Sequence, residues 1–304
     1  MKISDRFKGC IMGGAIGDAY GSCHENVLPI QNLKETYFLY GKPESEDMIW
    51  GITDDTQLTI ATCEAITENE SLDAEIFAKK YLEFYKSRKL TGLGSSTLKA
   101  MQELEVGGHW SQVGRKGEYA AGNGSAMRVA PLAFETKVSR DFIRNFSIIT
   151  HHNDEAYVGA LSVFLAIQAI IEGTWTGLEN LLEIIIEQIP DTRVRDRLIT
   201  INKLNCDVIE VGKLGSDGYV VNSIPLAIAY ASMVPKLGLH NMYKQIISLG
   251  GDTDTNCSIA GQIAGAFIGY NNIPSELLYN LKELKEYIWI DKTIEAYLSN
   301  RNWS

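Results

Sequence analysis

No two of the five cysteines, Cys10, Cys23, Cys63, Cys206 and Cys257, are spaced Cys-x-x-Cys, and their number is odd. That removes a zinc ribbon and any disulfide framework, and scattered reduced thiols fit a cytoplasmic protein. Runs of Lys or Arg are missing too, in a chain whose formal net charge is -10. Without a basic footprint, nucleic acid and anionic membrane surfaces are not expected partners. The most apolar run, Ile259 to Tyr270, carries Gln262 and three glycines. It falls short of the roughly 20 residues a bilayer needs, so no membrane span is expected. Lys2, Asp5, Arg6 and Lys8 stand where an export signal would place its apolar core. Strand-forming composition is confined to Tyr219-Val220-Val221 and Ile288-Trp289-Ile290, both short, which excludes a β-rich fold.

What is present is helical. Of the 304 residues 45% are hydrophobic and 22% charged, the balance of a chain that buries a sizeable core. Periodic apolar positions predict helices over Thr53 to Thr67, Leu72 to Arg88, Ser96 to Leu104 and Glu155 to Ile171. Further ones are predicted at Leu178 to Ile189, Arg195 to Asn205, Ser223 to Val234, Met242 to Leu249, Ser275 to Tyr287 and Lys292 to Asn300. Gly9, Gly13, Gly17 and Gly21 stripe one face near the N-terminus, and Gly261, Gly265 and Gly269 stripe another near the C-terminus. Each glycine costs a helix interior up to ~1 kcal/mol relative to alanine, so a stripe implies a second backbone packed against it. Two such helices would cross closely and bring the chain ends together. The expectation is an all-α, single multi-helix domain spanning residues 1–304, with its site on loops at helix N-termini.

Chemistry concentrates in Gly250-Gly251-Asp252-Thr253-Asp254-Thr255-Asn256 and in Thr53-Asp54-Asp55-Thr56. Four carboxylates with flanking hydroxyls make an all-oxygen set, suited to Mg²⁺, Mn²⁺ or Ca²⁺ rather than zinc or copper. Helix capping is the competing explanation, with Asp54 and Gln57 as a variant capping box. Capping accounts for one acid per helix start but not for two, because adjacent carboxylates repel unless a cation or proton stands between them. A second feature, Ala121 to Arg128, is a glycine-rich turn whose backbone N–H groups could cradle phosphate. Thr150-His151-His152 precedes the apolar helix from Glu155; with no third ligand nearby, substrate contact is favoured over metal.

Met12-Gly13-Gly14-Ala15-Ile16-Gly17-Asp18-Ala19 with Glu25, then Thr53 to Thr56, Gly122 to Arg128, Thr150-His151 and Gly250 to Thr255 follow one another in the order seen in ADP-ribosylglycohydrolases. The sequence resembles that family from about Arg6 to Tyr270. The resemblance implies an all-α hydrolase with a binuclear Mg²⁺ or Mn²⁺ centre that cleaves ADP-ribose from a protein or a small-molecule conjugate. It assigns metal ligation to Thr53, Asp54, Asp55, Asp252, Asp254 and Thr255, and acid/base catalysis to Glu25. It also assigns ADP-ribose contact to Gly122, Asn123, Gly124, Ser125 and His151, and makes Tyr119 an adenine stacker. The segments Asn26 to Trp50 and Leu90 to Glu118, outside these motifs, would read the leaving group. Two alternatives remain at this stage: a non-catalytic protein like the eye-lens crystallins that keep this fold, and a two-metal phosphohydrolase cutting the pyrophosphate.

Overall fold

The computed structural model describes residues 1–25, 50–136, 138–204 and 208–301. The expected leaving-group loop from Asn26 up to residue 49, and Cys206, lie outside them. Helices follow in the order α1 (Ile3–Ser22), α2 (Asp54–Glu68), α3 (Ala74–Lys86), α4 (Ser95–Glu105), α5 (Arg140–Ile148) and α6 (Asp154–Glu172). Then come α7 (Leu181–Ile186), α8 (Arg193–Lys203), α9 (Val208–Gly212), α10 (Val220–Ser232) and α11 (Val234–Leu237). The series closes with α12 (Leu239–Leu249), α13 (Thr253–Ile268), α14 (Ser275–Lys282) and α15 (Tyr287–Ser299).

The centre of the molecule is the crossing of α1 and α13. A Cβ at Gly13 would run into the carbonyl oxygen of Gly261, and one at Gly261 into that of Gly13. The two glycine stripes therefore face each other, as their spacing implies, and the backbones approach to a distance that no larger residue permits. Tyr243 of α12 seals the crossing by donating its hydroxyl to Gly13 O at 2.7 Å. Around this pair pack α2, α6, α10 and α12, and α15 lies over the outer face of α2.

Helix α6 is long and apolar enough to cross a membrane by length and composition alone, yet most of it is buried among the surrounding helices. Its start is set by Asn153, whose side chain accepts from the N–H groups of Glu155 and Ala156, and its end by Gly173 at φ 75°. Glu155 in turn caps α8, accepting from the backbone N–H groups of Arg193 and Val194, each at 3.1 Å.

Neither stretch of strand-forming composition is a strand, in keeping with the all-α expectation. Val220 and Val221 open α10, with Tyr219 making one isolated bridge to Gly122, and Ile288 to Ile290 lie within α15. β-branched and aromatic composition is a weak preference that helix packing overrides. Among the described residues the sheet is a two-residue parallel pair, β1 (Arg115–Lys116) with β2 (His151–His152), where no strand was expected. Helix α5 was also unexpected, although Ser139 caps it and Ile143 and Phe146 bury at helical spacing.

Candidate active site

The first acidic cluster sits at the start of α2, and a residue of α1 builds it. The fully buried Asp18 carboxylate accepts from Thr53 N at 3.0 Å, Thr56 N at 3.1 Å, Thr53 Oγ1 at 2.8 Å and Thr56 Oγ1 at 2.5 Å. Thr53 is the N-cap of α2, its hydroxyl accepting from Asp55 N at 3.4 Å, and Asp18 completes the cap from a neighbouring helix by taking Thr56 N. Neither Asp54 nor Asp55 is therefore the N-cap of α2. Gln57 does not complete a capping box. Its amide instead exchanges hydrogen bonds with Thr91, 2.8 Å to the hydroxyl and 2.7 Å from the backbone N–H, and pins the loop that follows α3.

The second cluster opens α13. Gly250 and Gly251 take φ of 69° and 79°, a region that strains any residue with a side chain. Asp252 N and Asn256 Nδ2 both donate to Ser216 O, at 2.9 and 2.7 Å, and Thr253 Oγ1 donates to Gly21 O at 2.8 Å. The last of these ties the cluster to the C-terminal end of α1, so the glycine crossing delivers both clusters to one place. Thr255 Oγ1 reaches Asp55 Oδ2 at 3.1 Å, and Asn123 Nδ2 reaches Asp252 Oδ2 at 2.6 Å.

The electrostatics are those of uncompensated acids. Burial first, then neighbouring carboxylates, pushes Asp54, Asp55 and Asp252 well above the usual range, and burial raises Asp18 to about 6. Among the described residues Asp55 Oδ1 and Asp254 Oδ1 are shut from solvent with no hydrogen-bond partner. An orphaned buried carboxylate oxygen costs several kcal/mol unless a proton or cation meets it, so the donor set fits a hard divalent ion. Among the described residues no three His, Cys, Asp or Glu side chains stand ready-made around one point. The hydroxyls of Thr53 and Thr255 would have to complete any ligand set.

These residues line a cleft of about 680 Å³. Glu25 is exposed at its rim, its carboxyl raised by partial burial and then by Asp254. Gly122, Asn123 and Gly124 form one wall and His151 backs it. A Cβ at Gly122 would lie 3.0 Å from His151 Nε2, and one at Gly124 would lie 2.8 Å from His151 Cε1, so the turn is pressed onto the imidazole. Burial and then the Arg128 charge lower His151 to about 3, so the ring is neutral at ordinary pH. Tyr119 projects at the mouth, 86% exposed.

Ser125 is the exception among the sequence-derived residues. It does not line the cleft: fully buried, it donates its hydroxyl to Ala156 O at 3.2 Å and fastens the turn to α6. Sequence reasoning in turn missed Asp18 as the residue that shapes the first cluster. It also missed Ser95, Ser96 and Thr97, which bring the start of α4 into the cleft lining, with Thr97 Oγ1 beside Gly124. A run of three hydroxyls after Gly92 and Gly94 was the available signal.

A family model described as ADP-ribosylglycohydrolase matches residues 1–303. Among curated proteins, ADP-ribosylhydrolase ARH3 of Mus musculus is 28% identical, covering 88% of this chain and 85% of its own length. ADP-ribosylarginine hydrolase Tri1 of Serratia proteamaculans is 26% identical, covering 96% of this chain and 76% of its own. Among solved structures, an ADP-ribosylglycohydrolase-related protein complex superposes with a TM-score of 0.72 at 22% identity, covering 98% of this chain and 99% of that one, which establishes the shared fold. With the family matched over nearly its whole length, this chain belongs to the ADP-ribosylglycohydrolases and is a hydrolase of glycosyl bonds.

Proposed function

We propose that the protein hydrolyses the bond at the anomeric carbon of the distal ribose in an ADP-ribosylated protein or small-molecule conjugate, releasing intact ADP-ribose. In this reading it works with two Mg²⁺ or Mn²⁺ ions in a cytoplasmic setting. The observation that supports it best is the convergence, in one cleft, of orphaned carboxylate oxygens from two distant segments with a glycine-asparagine turn and a rim glutamate. The names of the ARH3 and Tri1 relatives support the substrate class.

Thr53, Asp54 and Asp55 would hold one ion and Asp252, Asp254 and Thr255 the other. Bound there, the ions would supply positive charge to grip ribose hydroxyls and polarise water. The chain's own residues do the rest. Backbone N–H groups of the Gly122 to Gly124 turn orient the diphosphate, and Asn123, steadied by Asp252, presents its free amide oxygen to the ribose. As the anomeric bond lengthens the ribose gains oxocarbenium character, and the leaving group needs a proton. Glu25, whose carboxyl is raised, gives that proton and then takes one from the incoming water. Tyr119 offers its exposed ring to the adenine.

The test is a panel of arginine-, serine-, O-acetyl- and nucleic-acid-linked ADP-ribose, with products separated by chromatography. Release of ADP-ribose from at least one member is expected. AMP and a ribose phosphate as the products would establish pyrophosphate cleavage instead.

A further inference from the structure

Arg128 is fully buried, its guanidinium lying over the rings of Tyr81 and Phe146 at 5.0 and 5.2 Å. It donates to Gly124 O, to Phe146 O at 3.5 Å and to Thr150 Oγ1 at 2.8 Å. Thr150 Oγ1 also stands 2.7 Å from His151 Nδ1. A guanidinium has hydrogens to give and no lone pair to receive them, so the hydroxyl is the acceptor in the first of its two contacts. A hydroxyl has one hydrogen and two lone pairs; among the described residues no carbonyl or carboxylate takes that hydrogen, so Nδ1 is the acceptor left for it. In a neutral imidazole the ring proton then sits on Nε2, the nitrogen pressed against Gly122 at the cleft wall.

We infer that Arg128 and Thr150 are positioning residues that lock His151 as the Nε2–H tautomer, so that it meets an oxygen of the bound ADP-ribose as a hydrogen-bond donor. One buried cation thus sets two parts of the binding wall, the Gly124 carbonyl and, through one hydroxyl, the direction of the His151 proton. The inference rests on the reading above that His151 faces ADP-ribose, but the tautomer is a property of the free protein. The backbone at Thr150 is held separately: its carbonyl accepts from Arg115 N at 3.3 Å, and β2 pairs in register with β1. Removing the hydroxyl therefore leaves the position of the ring largely to the backbone.

Thr150→Val keeps the shape and removes the relay; Thr150→Ser restores it. Imidazole nitrogen chemical shifts in protein labelled at histidine report the tautomer directly. In the wild type and in Thr150→Ser, His151 should give the Nε2–H pattern, and Thr150→Val should mix the two tautomers. ADP-ribose affinity by calorimetry should fall roughly tenfold in Thr150→Val and return in Thr150→Ser, the scale of one donor turned away from a charged or polar acceptor. An Nδ1–H ring in the wild type, or an Nε2–H ring undisturbed in Thr150→Val, overturns the relay. If the shifts behave as stated and ADP-ribose fails to bind the wild type, the ligand reading falls and the relay stands. Should Thr150→Val not fold, Thr150→Ser against Thr150→Ala gives the same comparison.

Discussion

Thr255 donates to Asp55 across 200 residues of sequence, at 3.1 Å and out of reach of solvent. This one bond joins the starts of α2 and α13, and it exists because α1 and α13 cross at glycines. Among the described residues the other oxygen of Asp55 has no partner, and neither has Oδ1 of Asp254. Two acidic segments that look separate in sequence therefore form one centre.

If they act as one, their losses should not multiply. Asp54→Ala and Asp254→Ala are each expected to lower turnover by about 10²-fold or more, with the double variant scarcely worse, because either loss dismantles the shared unit. Steady-state kinetics on the three variants decide it. Multiplicative losses would mean two independent sites.

Divalent ions should stabilise the fold, and more so as pH rises. Asp18 sits near 6 in the folded chain against an ordinary 3.8, and Asp54, Asp55 and Asp252 are raised well above the usual range as well. Without metal the folded state holds protons that the unfolded chain has released, so these groups favour folding below about pH 4 and cost stability as pH climbs through about 6. His151 has the opposite sign, losing stability as pH falls below 6.5, and no carboxylate of the two clusters is among the causes of its shift. The gap in Tm between Mg²⁺-saturated and chelated protein should therefore widen from about pH 4 to about pH 7. A constant gap would place the ion elsewhere.

The glycine crossing makes a prediction about stability alone. Gly13→Ala puts a methyl group against the Gly261 backbone, which has no side chain to move aside, and should cost about 1–3 kcal/mol or more. Gly51→Ala meets no atom of the described residues within 4 Å and should stay within about 0.5 kcal/mol of the parent. Denaturant unfolding of the two variants compares them directly.

The paired acids, the glycine stripes and the long apolar helices were legible in sequence because each is a local pattern of residue type. The role of Asp18 was not, since it appears only when Thr53 and Thr56 are folded onto it across 35 and 38 residues. Ser125 shares its motif with residues that line the cleft, and only packing against α6 shows that its hydroxyl points inward. The state of the short apolar runs at Val220 and Ile288 was not legible either, because so short a run carries no period and neighbouring helices decide it. The link from Arg128 through Thr150 to His151 likewise joins two segments that sequence spacing leaves unrelated.

In the proposed mechanism labour is divided: the acidic clusters bind and Glu25 performs the proton transfer. Glu25→Gln keeps the volume and removes the titratable carboxyl. The decisive measurement is turnover under saturating substrate, alongside calorimetry of ADP-ribose and Mg²⁺ binding to the same variant. Turnover should fall by roughly 10²–10⁴-fold while both affinities stay within about one order of magnitude of the parent. Near-normal turnover in Glu25→Gln would contradict the account and move the acid/base role to another carboxylate of the cleft.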